Sequence, residues 1–141
     1  MFENIVNAIG IINHPKGLNI GARHISISTS GLVPKIYELA DSELQSTLAI
    51  SLHAPNHKLR AELMPIENKY PIDELKKALL NYVEKTGRRI TFEYSLVAGV
   101  NDSGEDAKEL IAPEKVVTGR CLSKRISIDN RTFGQSSVQV R

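Results

Sequence analysis

The chain has 141 residues, 41% of them hydrophobic and 24% charged, with a formal net charge of +2 and a mean hydropathy of −0.19. These values fit one soluble globular domain and exclude a bilayer-spanning apolar run and an export segment at Met1. A single Cys excludes an intrachain disulfide, so a cytoplasmic, reducing environment is the default expectation.

In chain order, Phe2, Ile5, Val6, Ile9 and Ile12 recur at helical spacing, and His14-Pro15-Lys16-Gly17 ends that helix. His24 to Thr29 alternates apolar and polar residues and predicts a strand. Leu32 to Leu39 predicts a short helix with Ile36, Leu39 and Ala40 on its apolar side. Leu48 to His53 is a second strand, closed by the loop residues Pro55 and Asn56. A short turn packed by Leu59, Leu63 and Met64 precedes Pro65. Ile72, Leu75, Ala78, Leu79, Tyr82 and Val83 then mark the strongest helix. Asp73 and Glu74 in its first turn and Lys85 in its last suit the helix dipole, and Gly87 is a natural stop. Arg89 to Val97 is a third strand. The loop Gly99 to Ser103 leads into a helix over Glu105 to Ile111, capped by Asp102 or Ser103.

This alternation predicts an α/β fold with parallel strands and crossover helices. A (β/α) barrel needs roughly 200 residues or more, so the pattern amounts to about half of one, a partial barrel whose open sheet edges invite self-association. After Ile111 sustained periodicity fails, apart from a short Ile126/Ile128 alternation. The stretch 113–141 carries a net charge of +4, leaving −2 for residues 1–112, and is expected to be an irregular basic tail, solvated or disordered.

Strand parity puts Ser26 and Ser28 on one face and Ile25 and Ile27 on the other. In the second strand it sets Ala49, Ser51 and His53 against Leu48, Ile50 and Leu52. If the two strands are parallel neighbours, Ser28, Ser51 and His53 converge at the end of the sheet where βα folds bind ligands. Small residues filling a barrel layer are the alternative for the serines, and a hydrogen-bonded structural role is the alternative for His53. Glu93 faces inward and is expected in a structural salt bridge. Arg60, Arg88 and Arg89 are either solvated surface charge or contacts to phosphate, a group that arginine forks suit. His14, His24 and His57 have no metal-ligand spacing.

Five blocks in order carry a family resemblance. They are Leu18 to Gly31, ending Ser28-Thr29-Ser30-Gly31; Leu48-Ala49-Ile50-Ser51-Leu52-His53-Ala54-Pro55-Asn56; Leu63-Met64-Pro65-Ile66; Thr86 to Tyr94; and Gly99-Val100-Asn101-Asp102-Ser103. Together they resemble the RlmN-type radical S-adenosylmethionine RNA methyltransferases, which methylate C2 of adenine in ribosomal and transfer RNA. The resemblance runs from about Phe2 to about Leu110 and covers the central portion of that family's catalytic barrel.

The resemblance implies S-adenosylmethionine as cofactor, a 4Fe-4S cluster, and rRNA and tRNA as partners, with no membrane. By motif it also implies that Ser28, Ser51, Leu52 and His53 contact the cofactor, Leu52 through its backbone. Serine hydroxyls and an imidazole suit the ribose hydroxyls, carboxylate, amine and adenine edges of that molecule.

The departures matter as much. The family's cluster takes three thiolates in a C-x-x-x-C-x-x-C motif ahead of this region, and this chain has one Cys. The family's Gly-Glu-Pro segment, its Asn-Leu-Ile-Pro strand and the Ala-Cys-Gly segment of its methyl-carrying Cys are also absent. Cys121, in Gly119-Arg120-Cys121-Leu122, does not match that last segment. The expectation is therefore one wall of a cofactor pocket, inactive by itself, with no catalytic or metal-binding residue assigned. The alternative is a non-catalytic remnant that binds nucleoside or RNA. An unrelated half-barrel acting on phosphates or sugars would need a Gly-rich phosphate loop or a paired acid and base, which the sequence lacks.

Overall fold

The computed structural model describes residues 2–42, 44–111 and 122–127, with Ile111 and 122–127 described as backbone. Helix α1 (Phe2–Asn13) stops just before His14-Pro15. A 3-10 turn at Ala22–His24 leads into strand β1 (Ser26–Thr29), then helix α2 (Val33–Asp41) and strand β2 (Thr47–Ser51). Helix α3 (His57–Leu63) and a 3-10 turn (Pro65–Asn68) precede helix α4 (Ile72–Thr86), strand β3 (Ile90–Ser95), helix α5 (Gly104–Ile111) and strand β4 (Leu122–Ser127).

The strands form one parallel sheet in the order β1-β2-β3-β4. Its chain-order arrangement is that of a partial (β/α) barrel. In register, Ile27 lies beside Leu48 and Ser28 beside Ala49, while Ile50 lies beside Phe92 and Ser51 beside Glu93. The pleat therefore gives the sheet two unlike faces. Leu48, Ile50 and Ile90 share one face and pack against Val33, Ile36 and Leu39 of α2 and Leu75, Ala78, Leu79 and Tyr82 of α4. Each Leu or Ile buried there contributes about 1.5–3 kcal/mol relative to exposure. The opposite face carries Ser26, Ser28, Ser51 and Glu93, and the first two are exposed.

Helix α4 shows why the local reading succeeds. Its apolar residues fall on one stripe, Asp73 and Glu74 sit in its first turn, and Gly87 follows it at φ 63°. That left-handed residue donates its N–H to the Val83 carbonyl at 2.8 Å, a closure that favours glycine.

Of the basic tail, the structure describes Leu122–Ser127, which pairs from Ile90↔Leu122 to Ser95↔Ser127. The short alternation at Ile126 thus belongs to a fourth strand, where the failing periodicity had indicated none. The rest of the tail, Cys121 and the expectation of disorder lie outside the described residues. Among the described residues no helix is long and apolar enough to cross a membrane.

Candidate cofactor-binding rim

Two strand ends meet on one carboxylate. The Ser28 hydroxyl on β1 and the Ser51 hydroxyl on β2 each donate to Glu93 Oε2 on β3, both at 3.3 Å. An ordinary O–H···O bond is about 2.7–2.8 Å, so both contacts are weak and easily exchanged. Ser28 is exposed, whereas Ser51 and Glu93 are half-buried. Among the described side chains these two hydroxyls meet the carboxylate; Arg125, the neighbour of Glu93 in register on β4, has its side chain outside the described residues, as does the test of the expected salt bridge.

His53 lies two residues beyond the end of β2, at φ 56°. Its Nδ1 accepts the Ser95 N–H at 3.1 Å. A main-chain N–H only donates, so the ring proton belongs on Nε2 and the imidazole is neutral. Burial pushes the ring's pKa below its ordinary value; Glu93 opposes that shift and Arg60 adds to it. His53 therefore belongs to the same rim electrically, yet its Nδ1 is held by β3.

Leu52 is buried, and its N–H donates to the Glu93 carbonyl at 2.9 Å. Its own carbonyl accepts the Ala54 N–H at 2.8 Å and Arg60 Nε at 3.2 Å. Both main-chain groups foreseen as ligand contacts are thus already bonded within the protein.

Arg60 is not a surface residue, contrary to both readings of it from sequence. It is fully buried and pairs through Nη1 with the equally buried Glu67 Oε2. Its Nη2 donates to the carbonyls of Ser30 at 2.6 Å and Ser51 at 3.4 Å. The same guanidinium therefore ties the loop after β1 to the end of β2. Glu67 Oε1 accepts the Ile72 N–H at 2.7 Å and lies 2.8 Å from His57 Nδ1. Gly31, at φ 105°, sits so close that a Cβ there would be 3.2 Å from Arg60 Nη2. The glycine of the Ser-Thr-Ser-Gly block thus makes room for the buried guanidinium.

Asn101 locks the other side of the rim. Its Nδ2 donates to the carbonyls of His53 at 2.7 Å and Ser95 at 2.8 Å, and its Oδ1 accepts the Val97 N–H at 2.6 Å. The Tyr94 hydroxyl donates to the Asn101 carbonyl at 2.9 Å, and burial pushes its pKa up to about 12. Between the two cap candidates, Ser103 is the cap of α5. Its Oγ accepts the Asp106 N–H at 3.0 Å, and Asp106 Oδ2 accepts the Ser103 N–H at 3.1 Å.

Sequence reasoning missed Glu67 and assigned Asn101 no role beyond its motif. A buried Arg and Glu seven residues apart leave no periodic trace. Of the other arginines, Arg88 bonds Gln45 through its carbonyl and Oε1, and Arg89 is exposed. Among the described residues no group of three His, Cys, Asp or Glu side chains could hold a metal ion, so the residues present do not fit an iron–sulfur cluster. An open groove of about 370 Å³, lined by Asn56, Ser103, Asp106, Lys108 and Glu109, adjoins α5 and does not include the serine rim.

No family model matches the chain. Curated relatives do. The chain is 59% identical over 110 residues to a probable dual-specificity RNA methyltransferase RlmN of Caldanaerobacter subterraneus subsp. tengcongensis, covering 78% of this chain and 32% of that protein. It is 61% identical over 109 residues to the protein of the same description from Clostridium perfringens, covering 77% of this chain and 31% of that one. The crystal structure of a radical SAM methyltransferase from Sphaerobacter thermophilus superposes with a TM-score of 0.81 at 46% identity, covering 88% of this chain and 36% of that one. The chain thus spans about a third of the length of the curated relatives it matches. In sequence and in fold, this chain is similar to about a third of proteins described as probable dual-specificity RNA methyltransferase RlmN and of a radical SAM methyltransferase.

Proposed function

We propose that the chain forms one wall of the S-adenosylmethionine pocket of an adenine-C2 RNA methyltransferase acting on rRNA and tRNA in the cytoplasm. Ser28, Ser51 and His53 are the side chains that meet the cofactor. The observation that carries this reading is the convergence of Ser28 and Ser51 on Glu93 at adjoining strand ends, with His53 beside them. That place in a parallel βα sheet is where ligands bind. Leu52 contributes by holding the rim, since its main-chain groups bond Glu93, Ala54 and Arg60.

The donor set fits the cofactor. Hydroxyl oxygens and an Nε2–H offer both acceptors and a donor to a ribose, an amine or an adenine edge. When bound, S-adenosylmethionine supplies the methyl and adenosyl chemistry; this chain's residues would bind and orient it. The residues do not fit the cluster, whose ligands are thiolates, because the sequence holds one Cys. These 141 residues by themselves therefore bind cofactor without turning it over. Isothermal titration of the chain with S-adenosylmethionine tests the reading: saturable heat is expected, and none at millimolar ligand removes it.

A further inference from the structure

Glu93 is the member of this rim to which the family motifs assign nothing. It lies beside Ser51 in register, and its Oε2 sits 3.3 Å from both serine hydroxyls. A hydroxyl has one proton to donate. With both protons aimed at Glu93, each serine presents lone pairs to an approaching ligand, and the carboxylate has lone pairs alone. Among the described side chains, the Ser28, Ser51 and Glu93 part of the rim is therefore a triad of accepting oxygens. It matches a group that donates, such as a hydroxyl or an ammonium, and opposes a carboxylate, which would set negative oxygens against it. Because both contacts are long for O–H···O bonds, a donor can replace either with a shorter one at small cost.

On these grounds we infer that Glu93 is a third ligand-contacting residue of the rim. It accepts a hydrogen bond from a donor group of the nucleoside cofactor, either a ribose hydroxyl or the amino group. The inference rests on the S-adenosylmethionine reading of the rim. His53, with Nδ1 committed to Ser95, supplies the complementary donor through Nε2.

Titrating the 141-residue chain and its Glu93→Gln variant with S-adenosylmethionine and with 5′-methylthioadenosine tests this. The second ligand keeps the ribose and lacks the amino-acid end. The variant should bind S-adenosylmethionine about tenfold or more weakly, the order set by one hydrogen bond to a charged acceptor. An equal loss with methylthioadenosine identifies a ribose hydroxyl as the donor, and a loss confined to S-adenosylmethionine identifies the amino group. Unchanged affinity for both ligands, with thermal unfolding unchanged, overturns the inference.

Should the variant not fold, the wild-type chain with carbon-13 in its glutamate carboxyls gives an independent reading. The Glu93 resonance should move on saturation with S-adenosylmethionine, and an unmoved resonance overturns the inference. A wild-type chain that binds neither ligand defeats the cofactor reading and this inference together. One that binds while Glu93 does not respond defeats the inference alone.

Discussion

Arg60 and Glu67 face one another with neither side chain exposed to solvent. The remaining N–H groups of the arginine reach the carbonyls of Ser30, Ser51 and Leu52, and the second oxygen of the glutamate takes the Ile72 N–H. The pair thus joins the ends of β1 and β2 to the start of α4. A buried ion pair of this kind adds little net stability over a well-packed apolar pair, but breaking it leaves a lone buried charge. Arg60→Met should therefore cost about 3–5 kcal/mol in chemical denaturation. Adding Glu67→Leu should recover part of that loss, since no lone charge then remains. A double variant as unstable as the sum of its singles would contradict the pairing.

Gly31→Ala combines two penalties. The residue sits at φ 105°, where an L side chain is strained, and its new Cβ would be 3.2 Å from Arg60 Nη2 and from Leu75 Cδ2. A loss of about 1–2 kcal/mol from the backbone term alone is expected, and the crowded guanidinium should raise it. Gly87→Ala serves as the control, because a Cβ there meets nothing within 4 Å. Denaturation of both variants should rank Gly31→Ala as clearly the worse.

Asn101→Ala removes the bonds to the His53 and Ser95 carbonyls and the Val97 N–H together. Each buried group left without a partner costs about 1–3 kcal/mol. The damage should be local: amide exchange at Val97 and Ser95 is expected to speed up well before that of Leu79 in α4. Uniform acceleration across the chain would mean that Asn101 supports the whole fold rather than the rim.

His53 predicts a pH dependence. Burial lowers its folded-state pKa below the ordinary 6.5, so the unfolded chain binds a proton more readily than the folded one. Stability should then be complete above the unfolded value and fall as pH drops from about 6.5 through the folded value. Protonation at Nδ1 would also displace the Ser95 N–H. Thermal unfolding at about pH 7.5 and about pH 5.5 should show a drop that His53→Asn reduces, asparagine being a residue that tolerates positive φ. An identical drop in the variant would assign the effect to other groups.

The sheet edges predict association. Among the described residues β1 is an edge strand, and its side-chain face at Ser26 and Ser28 is exposed. Unpaired strand edges recruit other chains. Sedimentation should show mass rising with concentration; a strictly monomeric chain would show that β1 is protected.

The helices and strands were legible because burial on one side imprints a period on the sequence. Ile25, Ile27, Leu48 and Ile50 announce period two, and Leu75, Ala78, Leu79 and Tyr82 announce the α4 stripe. The meeting of Ser28 with Ser51 also followed from parity, once the strands were taken as parallel neighbours. Their common acceptor did not, because pairing Ser51 with Glu93 requires the register between β2 and β3. Arg60 was illegible for another reason. Its charge marks it as surface by pattern, and only the carbonyls at two strand ends, distant in sequence, explain its burial. Positive φ at His53 was likewise hidden, since a strand pattern continued through it.

The unlike faces of the sheet mean that neighbouring positions in one strand answer to different demands. Walking along β2, replacing Leu48 or Ile50 should unfold the chain, while replacing Ser51 should leave it folded and alter only what it holds. Under the proposed cofactor reading, a substitution scan would oscillate, residue by residue, between lost solubility and lost ligand, and the phase of that oscillation would report which side of the sheet faces the ligand.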